Sequence, residues 1–340
     1  MSQFPKTYKA YAFLERGGSL KPIDVEWKDA KPGEVIVKVL ACGVCASDRT
    51  VKEGWSPTQE YPRIPGHEII GDVVAVAQGE SVWKVGDRVG AGWHGGQCHT
   101  CPRCRMGDFV TCSVGAVANG VGRDGGFAEY VHLRSEALAS VPKDLDPAEA
   151  APLMCAGITT FNALRNMTVT PPDFVAIQGI GGLGHLAIQY SRQMGYRTIA
   201  LSTSENKREL ALKLGAHDFI AGTAAEQAAA LQKIGGAKVI MVTADDTAAM
   251  NELVHGLGID GELCIVALSP GSVTVPVFSL VTKRLSIRGW PIGTSKDLED
   301  TADFAHAHGI KALVQKFPLD KAQEAYESYP SARFRAVIIP

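Results

Sequence analysis

DFVAIQGIGGLGHLAIQYSRQMG, residues 173–195, is the stretch that decides how the chain folds. Phe174-Val175-Ala176-Ile177 is an apolar run of strand length without alternation, the pattern of a parallel strand covered on both faces. Gly179, Gly181 and Gly184 follow in the spacing G-x-G-x-x-G, with Gly182 as a fourth glycine and Leu183 between it and the last. In a dinucleotide-binding turn the first glycine makes the tight bend. The second lets a pyrophosphate approach the backbone, and the third lets helix and strand pack closely. Leu183, Leu186, Ala187, Tyr190 and Met194 keep helical spacing as far as Gly195. The free N–H groups and positive dipole end at the start of that helix form an anion site. A bare glycine triplet is a weak signal, but the strand before it and the helix after it are the context the motif requires.

Strands and helices alternate on the C-terminal side of this turn. Strands are expected at 198–202, 218–221, 238–243 and 263–268, with helices at 206–214 and around 248–257, the rhythm of a doubly wound parallel sheet. On its N-terminal side, residues 149–166 read as helical. Before them the chain is β-rich, with strands at 8–13, 34–40, 69–77, 88–91 and 127–133 separated by Gly, Pro and Asp, as in a barrel-like domain. After residue 285 come a strand at 286–290, an acidic-fronted helix at 295–308 and a final strand at 335–339. The expected domains are therefore 1–148, 149–285 and a return segment, 286–340, that extends the sheet and rejoins the first domain.

A length of 340 residues allows two domains, and a net charge of −2 gives no electrostatic pull toward nucleic acid or an anionic membrane. No apolar run approaches the ~18 residues of a membrane span, and the opening MSQFPKTYKAYAF has no signal-peptide core, so a cytoplasmic, reducing setting is expected. In that setting clustered cysteines read as metal ligands rather than disulfides. Four of the eight cysteines, Cys98, Cys101, Cys104 and Cys112, fall within fifteen residues, enough to enclose one tetrahedral zinc with no open position. A redox pair needs only two thiols, and the proline that follows the last cysteine of ferredoxin runs is absent. A looser set, Cys45, His67 and Cys155, has the donor types of a catalytic zinc with an open fourth place. Residue spacing alone leaves open whether these three meet or are core residues.

The runs ACGVCASD, YPRIPGHEIIGDVVAV, WKVGDRVG, the cysteine lobe, DGGFAEY, CAGITTFNAL, GIGGLGHLAIQ and KRELALKLGA together resemble the zinc-dependent medium-chain alcohol dehydrogenases, and most nearly their cinnamyl alcohol dehydrogenase branch. The resemblance covers essentially the whole chain. It implies a GroES-like catalytic domain, a Rossmann domain and an active site in the cleft between them. It implies that Cys45, His67 and Cys155 bind the catalytic zinc, and that Cys98, Cys101, Cys104 and Cys112 bind a structural one. By the same resemblance, Glu68 is the acid that can approach the metal, and Ser47 the hydroxyl that bonds the substrate oxygen. Asp48 is then the carboxylate that orients the histidine, as metal-bound imidazoles are normally held. Thr159 matches a nicotinamide contact. Gly179, Gly181, Gly182, Leu183 and Gly184 match the pyrophosphate turn. Cys42 and Cys264 match no ligand and read as core thiols; His185 reads as structural.

Two positions depart from the family. Ala46 stands where a His or Arg commonly reaches the pyrophosphate, and Thr50 stands where a His ends the proton relay in many members. The implied reaction is hydride transfer between nicotinamide and a carbonyl carbon, on a primary alcohol or aldehyde of aromatic or allylic type, in a pocket to which Trp55, Trp93 and Trp290 are candidate contributors. Rival activities on the same scaffold are reduction of C=C or C=N bonds; a remote rival is a non-catalytic zinc protein, which the lack of a basic patch at the cysteine lobe disfavours. For cofactor choice, the second sheet strand ends in Ser202-Thr203-Ser204, with Lys207 and Arg208 one turn later. This resembles the signature of NADP-preferring members, so NADP is expected. Glu205 leaves NAD as the alternative, because an acid near this position binds the ribose 2′-hydroxyl and repels a 2′-phosphate. The expected partners are a small-molecule substrate and a second copy of the chain, in a homodimer or homotetramer paired through the strand at 286–290.

Overall fold

Val175, Ala176 and Ile177 lose all solvent exposure, because their strand, Phe174–Gln178, lies inside a six-stranded sheet. The computed structural model describes residues 4–56, 59–329 and 332–340. The chain divides into two units, Met1–Ile158 with Ile292–Pro340, and Thr159–Pro291.

In the second unit the sheet runs, in spatial order, Asp218–Ala221, Arg197–Ser202, Phe174–Gln178, Ala237–Val242, Leu257–Ile265 and Ser286–Gly289. Every neighbouring pair is parallel. The order reverses between Phe174–Gln178 and Ala237–Val242, so the glycine turn opens at the carboxyl end of a strand at the switch point, where doubly wound folds bind ligands. The core consists of Ile199, Leu201, Ile240, Val242, Leu253 and Leu263 with their neighbours. One strand starts six residues earlier than expected. Leu257–Ile265 includes Gly258, Asp260 and Gly261, residue types usual in turns. Ala237 pairs with Leu257 and Val239 with Glu262, so a bulge absorbs those residues, with Asp260 at a left-handed φ of 55°. The helix before it correspondingly stops at Leu253.

The first unit is built on Glu34–Gly43, a strand that pairs with Glu68–Val76 along its length. It pairs with Tyr130–Arg134 through Glu34 to Lys38, and with Arg335–Ile339 through Cys42 and Gly43. The sheet continues through Arg88–Ala91 to Ala139–Ser140 on one side and through Arg335–Ile339 to Val314–Pro318 on the other. A separate hairpin, Thr7–Phe13 with Leu20–Glu26, and the helix Ala322–Ser328 contribute Phe13, Leu20 and Tyr326 to the same core. Neither Val314–Pro318 nor that helix has a clear period in the sequence, because each is short and half exposed. The helical stretch expected over 149–166 is interrupted. Pro147–Ala150 is capped by Asp146, whose carboxylate accepts the N–H groups of Ala148 and Glu149 at 2.8 and 3.3 Å. A 3₁₀ turn, Ala151–Met154, then carries Pro152 and ends at Cys155, whose φ of −131° breaks the run before Ala156–Asn166 begins. That break sets the thiol of Cys155 apart from both helices.

Candidate active site and metal centres

Cys45 follows the end of Glu34–Gly43 and caps the 3₁₀ turn Ala46–Asp48. Its Sγ accepts the Ser47 N–H at 3.5 Å, and its own N–H donates to Asp48 Oδ2 at 2.8 Å. This reciprocal capping box fixes the cysteine and the aspartate together. Oδ1 of Asp48 accepts from Gly66 N at 3.3 Å and lies 3.2 Å from His67 Nδ1. The imidazole is thereby held with Nε2 pointing away. His67 is fully buried, and its Nε2 has no hydrogen-bond partner among the described residues. An orphaned buried nitrogen is costly unless a ligand meets it.

What it faces is a set of donors. The ligand atoms of Cys45, His67, Glu68 and Cys155 all lie within 4.8 Å of one another, all on buried residues. Cys45 Sγ and Cys155 Sγ are 3.9 Å apart. Two sulfurs each ~2.3 Å from one tetrahedral zinc would sit about 3.8 Å apart, so the pair is spaced for a shared ion. The Cys45 thiol is held well below its usual range, first by its hydrogen bond with Cys155, which is itself pushed up by the same bond. Glu68 is completely buried, and burial pushes its carboxyl up to about 7 against the pull of Arg335. Nη2 of Arg335 lies 3.0 Å from Glu68 Oε1, the one cation paired with that carboxylate among the described residues. A Cβ on Gly43 would fall 1.9 Å from Glu68 Oε2, so any side chain there would displace the acid from its present position. The rings of Trp93 and His67 meet at 82°, centroids 5.0 Å apart.

The second donor set has the same spacing. The Sγ atoms of Cys98, Cys101, Cys104 and Cys112 lie within 4.8 Å of one another, with Cys98–Cys104 and Cys101–Cys112 each 3.9 Å apart. No disulfide joins them. Backbone N–H groups converge on the sulfurs: Cys101 N on Cys98 at 3.3 Å, Cys104 N on Cys101 at 3.5 Å, and Gly115 N on Cys112 at 3.3 Å. The Cys104 N–H is the largest of several influences that bring Cys101 down to about 5, while burial and then the hydrogen bond with Cys101 push the Cys104 thiol up. Four sulfurs from one loop close a tetrahedron and leave no place for substrate.

The glycine turn does what its spacing demands at two of three positions by steric necessity. Gly179 has a φ of 87°, and a Cβ on Gly184 would fall 1.9 Å from the Gly179 carbonyl oxygen. Around Gly181 no atom lies within 4 Å of where a Cβ would be, which leaves open space for a ligand to approach. Gly182 and Leu183 lead into the helix Gly184–Gln193. His185 is buried and its Nδ1 bonds the Gly181 carbonyl at 3.0 Å, a role in shaping the turn. Thr159 is buried on the helix following Cys155. Ser202 is buried, whereas Thr203 and Ser204 are exposed at the strand end. Lys207 Nζ donates to the carbonyl of Ile180, within the glycine turn, at 3.0 Å.

Residues 31–143 match the family model described as the alcohol dehydrogenase GroES-like domain, and residues 182–307 match that of the zinc-binding dehydrogenases. The chain belongs to the zinc-binding alcohol dehydrogenase family. An alcohol dehydrogenase, patD, of Penicillium expansum is 47% identical over 339 residues, covering 99% of each chain. Among solved structures, a cinnamyl alcohol dehydrogenase from Helicobacter pylori complexed with NADP(H) superposes with a TM-score of 0.86 at 27% identity, covering 98% of each chain. An acetophenone reductase from Geotrichum candidum in complex with NAD gives 0.86 at 26% identity, covering 100% of this chain and 99% of that one. As an alcohol dehydrogenase the protein is an oxidoreductase acting on small molecules, and none of its described helices is long and apolar enough to cross a membrane.

Two features of this dehydrogenase carry little signal in the sequence. Arg335 belongs to the expected strand at 335–339, and its one signal is a lone arginine opening the apolar run Ala336-Val337-Ile338-Ile339. Gly43 lies beyond the strand expected at 34–40 and is the last residue of Glu34–Gly43, a strand position where glycine marks a close approach. Of the three tryptophans expected near a pocket, Trp93 abuts His67, Trp55 is 53% exposed, and Trp290 lies under the Arg288 guanidinium, 4.7 Å from its ring.

Proposed function

We propose that the protein carries two zinc ions and transfers a hydride between NADP(H) and a primary alcohol or aldehyde of aromatic or allylic type. The observation that carries this is the fully buried His67, with Nδ1 held on Asp48 and Nε2 left facing the sulfurs of Cys45 and Cys155. Cys45, His67 and Cys155 would hold the catalytic ion, and Cys98, Cys101, Cys104 and Cys112 the structural one. Zinc at the first set supplies a Lewis acid for the alcohol or aldehyde oxygen, and NADP the hydride chemistry. The chain's own work is then positional. Asp48 fixes the histidine tautomer and raises its basicity. Ser47, half-buried beside Cys45, supplies the hydroxyl that hydrogen-bonds the reacting oxygen and carries its proton outward. Thr50 has no basic atom, so that proton leaves Ser47 through water rather than a second imidazole. Glu68 adds a fourth donor, an oxygen, within reach of the other three and balanced by Arg335. Trp93, packed against His67, gives the site an aromatic side chain suited to a flat substrate.

The choice of NADP over NAD is local. Relatives of this fold are known with either cofactor, so the preference belongs to side chains at the end of Arg197–Ser202. The hydroxyls of Ser202, Thr203 and Ser204 can donate to a 2′-phosphate, and Lys207 brings a cation to the same turn. We further assign a homodimer. Ser286–Gly289 ends the sheet, and the preceding helix Val277–Thr282 leaves Val277, Phe278 and Val281 exposed at 69%, 80% and 69%.

Following nicotinamide absorbance across aldehydes, alcohols and enals tests the reaction. Reduction of cinnamaldehyde-type substrates at the carbonyl, with NADPH preferred and the preference reduced by Lys207→Ala, is the expected result. Reduction at the C=C bond alone, or a wild-type preference for NADH, would overturn the corresponding part.

A further inference from the structure

Glu205 sits three residues past the end of Arg197–Ser202, near the place where an acid would repel a 2′-phosphate. Its carboxylate is not aimed at the turn. Arg208 grips it with a two-pronged fork, Nε to Oε2 at 2.6 Å and Nη2 to Oε1 at 2.9 Å. The guanidinium is anchored in turn: Nη1 donates to the Phe219 carbonyl at 3.2 Å, and the group lies over the Phe219 ring at 4.8 Å. Phe219 is buried in Asp218–Ala221, the strand on the outer side of Arg197–Ser202. Lys207, by contrast, reaches to Ile180, beyond Phe174–Gln178 on the inner side. The sheet order therefore draws the two charges apart. The cation leans over the glycine turn, and the acid is folded toward the opposite edge.

An exposed ion pair contributes little stability by itself. Position is what this one supplies, because a planar fork fixed on a carbonyl and a ring leaves the carboxylate few places to go. The Arg208 hydrogen bonds also hold the Glu205 carboxyl below its usual range. Glu205 is charged at neutral pH, so its repulsion is managed by placement rather than by protonation.

We propose that Arg208 is a positioning residue for cofactor choice: by folding Glu205 toward Phe219 it keeps the nucleotide site open to a 2′-phosphate. This rests on the NADP reading given above. Titration calorimetry on the purified protein, with NADPH, NADH and adenosine 2′,5′-bisphosphate as probes, reads it directly from dissociation constants. Arg208→Gln frees the carboxylate and should weaken NADPH and the bisphosphate on the order of tenfold, with NADH unchanged or tighter. The double variant Arg208→Gln, Glu205→Gln should return the NADPH to NADH ratio to the wild-type value. Arg208→Lys, which keeps the charge and loses the fork, should shift the ratio in the same direction as Arg208→Gln. A purely structural role for Arg208 would weaken both nucleotides together and would not be rescued at Glu205. A wild type that prefers NADPH, with a ratio unmoved by either Arg208 variant or unrestored in the double variant, overturns this proposal alone. A wild type that binds NADH more tightly overturns the NADP reading and this proposal with it.

Discussion

Two glycines three residues apart in one turn should fail in opposite ways. A Cβ at Gly184 would lie 1.9 Å from the Gly179 carbonyl oxygen and 3.2 Å from Thr243 Oγ1. The first distance is about 1.5 Å short of ordinary contact, and the obstructing atom is backbone, pinned because Gly179 N donates to Leu201 O at 3.1 Å. In Gly184→Ala the helix start must retreat from the strand end. Overpacking of this kind costs about 1–3 kcal/mol, which for a unit of this size lowers Tm by roughly 2–12 °C. At Gly181 an added methyl meets nothing within 4 Å, and the residue is not among the left-handed glycines. Gly181→Ala should therefore keep Tm within about 2 °C, since relief of chain entropy is the main effect left. What it fills is the space where a pyrophosphate would approach, so NADPH and NADH should both bind at least about tenfold more weakly. Scanning calorimetry and titration calorimetry on the same preparations separate the two. A Gly184→Ala protein that melts with the wild type would refute the packing argument. Wild-type affinity for both nucleotides in Gly181→Ala would refute the ligand argument.

Elemental analysis of the purified protein should find about two zincs per chain. Cys98→Ser should mainly lower Tm, because closed zinc sites contribute to folding, whereas Cys45→Ser should remove one zinc and the activity with less thermal damage; equal effects would argue against distinct sites. Ser47→Ala should lower turnover on the order of a hundredfold with zinc retained, and Thr50→His should alter its pH dependence; near wild-type turnover in the first would remove Ser47 from proton transfer. Burial opposes the shift at Asp146, but the hydrogen bonds from Lys316 and from the Ala148 and Glu149 N–H groups hold its carboxyl below the ordinary value. Its charge thus stabilises the fold above the unfolded pKa of ~3.9 and ceases to as pH falls through the folded value. The Tm gap between wild type and Asp146→Asn should be present at neutral pH and close in acid. Sedimentation equilibrium should show a dimer at micromolar concentration, and Phe278→Glu, placing charge on the exposed helix face, should shift it toward monomer; an unshifted mass would place the interface elsewhere.

What was legible in the sequence was whatever one continuous segment carries. The glycine turn needs a strand, three glycines and a helix, all between Phe174 and Gln193, and each of them forms. The cysteine lobe closes within fifteen residues, so ligand spacing alone implied its geometry. Asp218–Ala221 and Ser295–His308 were also plain, the second because Thr294 and Asp297 form a capping box and Gly309 ends the helix at a φ of 64°. Legibility failed where tertiary structure overrides a local signal. Gly258, Asp260 and Gly261 look like a turn and are carried inside a bulged strand. Pro152 falls inside a helical period and converts one turn to 3₁₀, which frees Cys155. The set of Cys45, His67 and Cys155 was the sharpest case. Its members come from a strand end, a loop and a helix break, and family resemblance suggested what no residue period could.

Arg335 shows why such a site is hard to see and hard to assemble. Asp48, Glu68, Cys45 and Cys155 gather acidic or ionisable groups in a volume closed to solvent. Burying that many anions is unfavourable unless cations come with them. Asp48 spends its oxygens on His67, Gly66 and Cys45, so it is satisfied locally. Glu68 is not: among the described residues neither of its oxygens accepts a hydrogen bond of good geometry, and its ion-pair partner is the Arg335 guanidinium. That arginine comes from the far end of the chain, on a strand that pairs with Cys42 and Gly43. Gly43 in turn is the residue whose missing side chain makes room for Glu68. The C-terminal strand therefore completes the electrostatics of a site whose ligands all come earlier. A fold selected for stability alone would fill this space with apolar side chains. An under-bonded carboxylate beside an orphaned imidazole and two sulfurs supports the proposal that these residues hold a divalent cation.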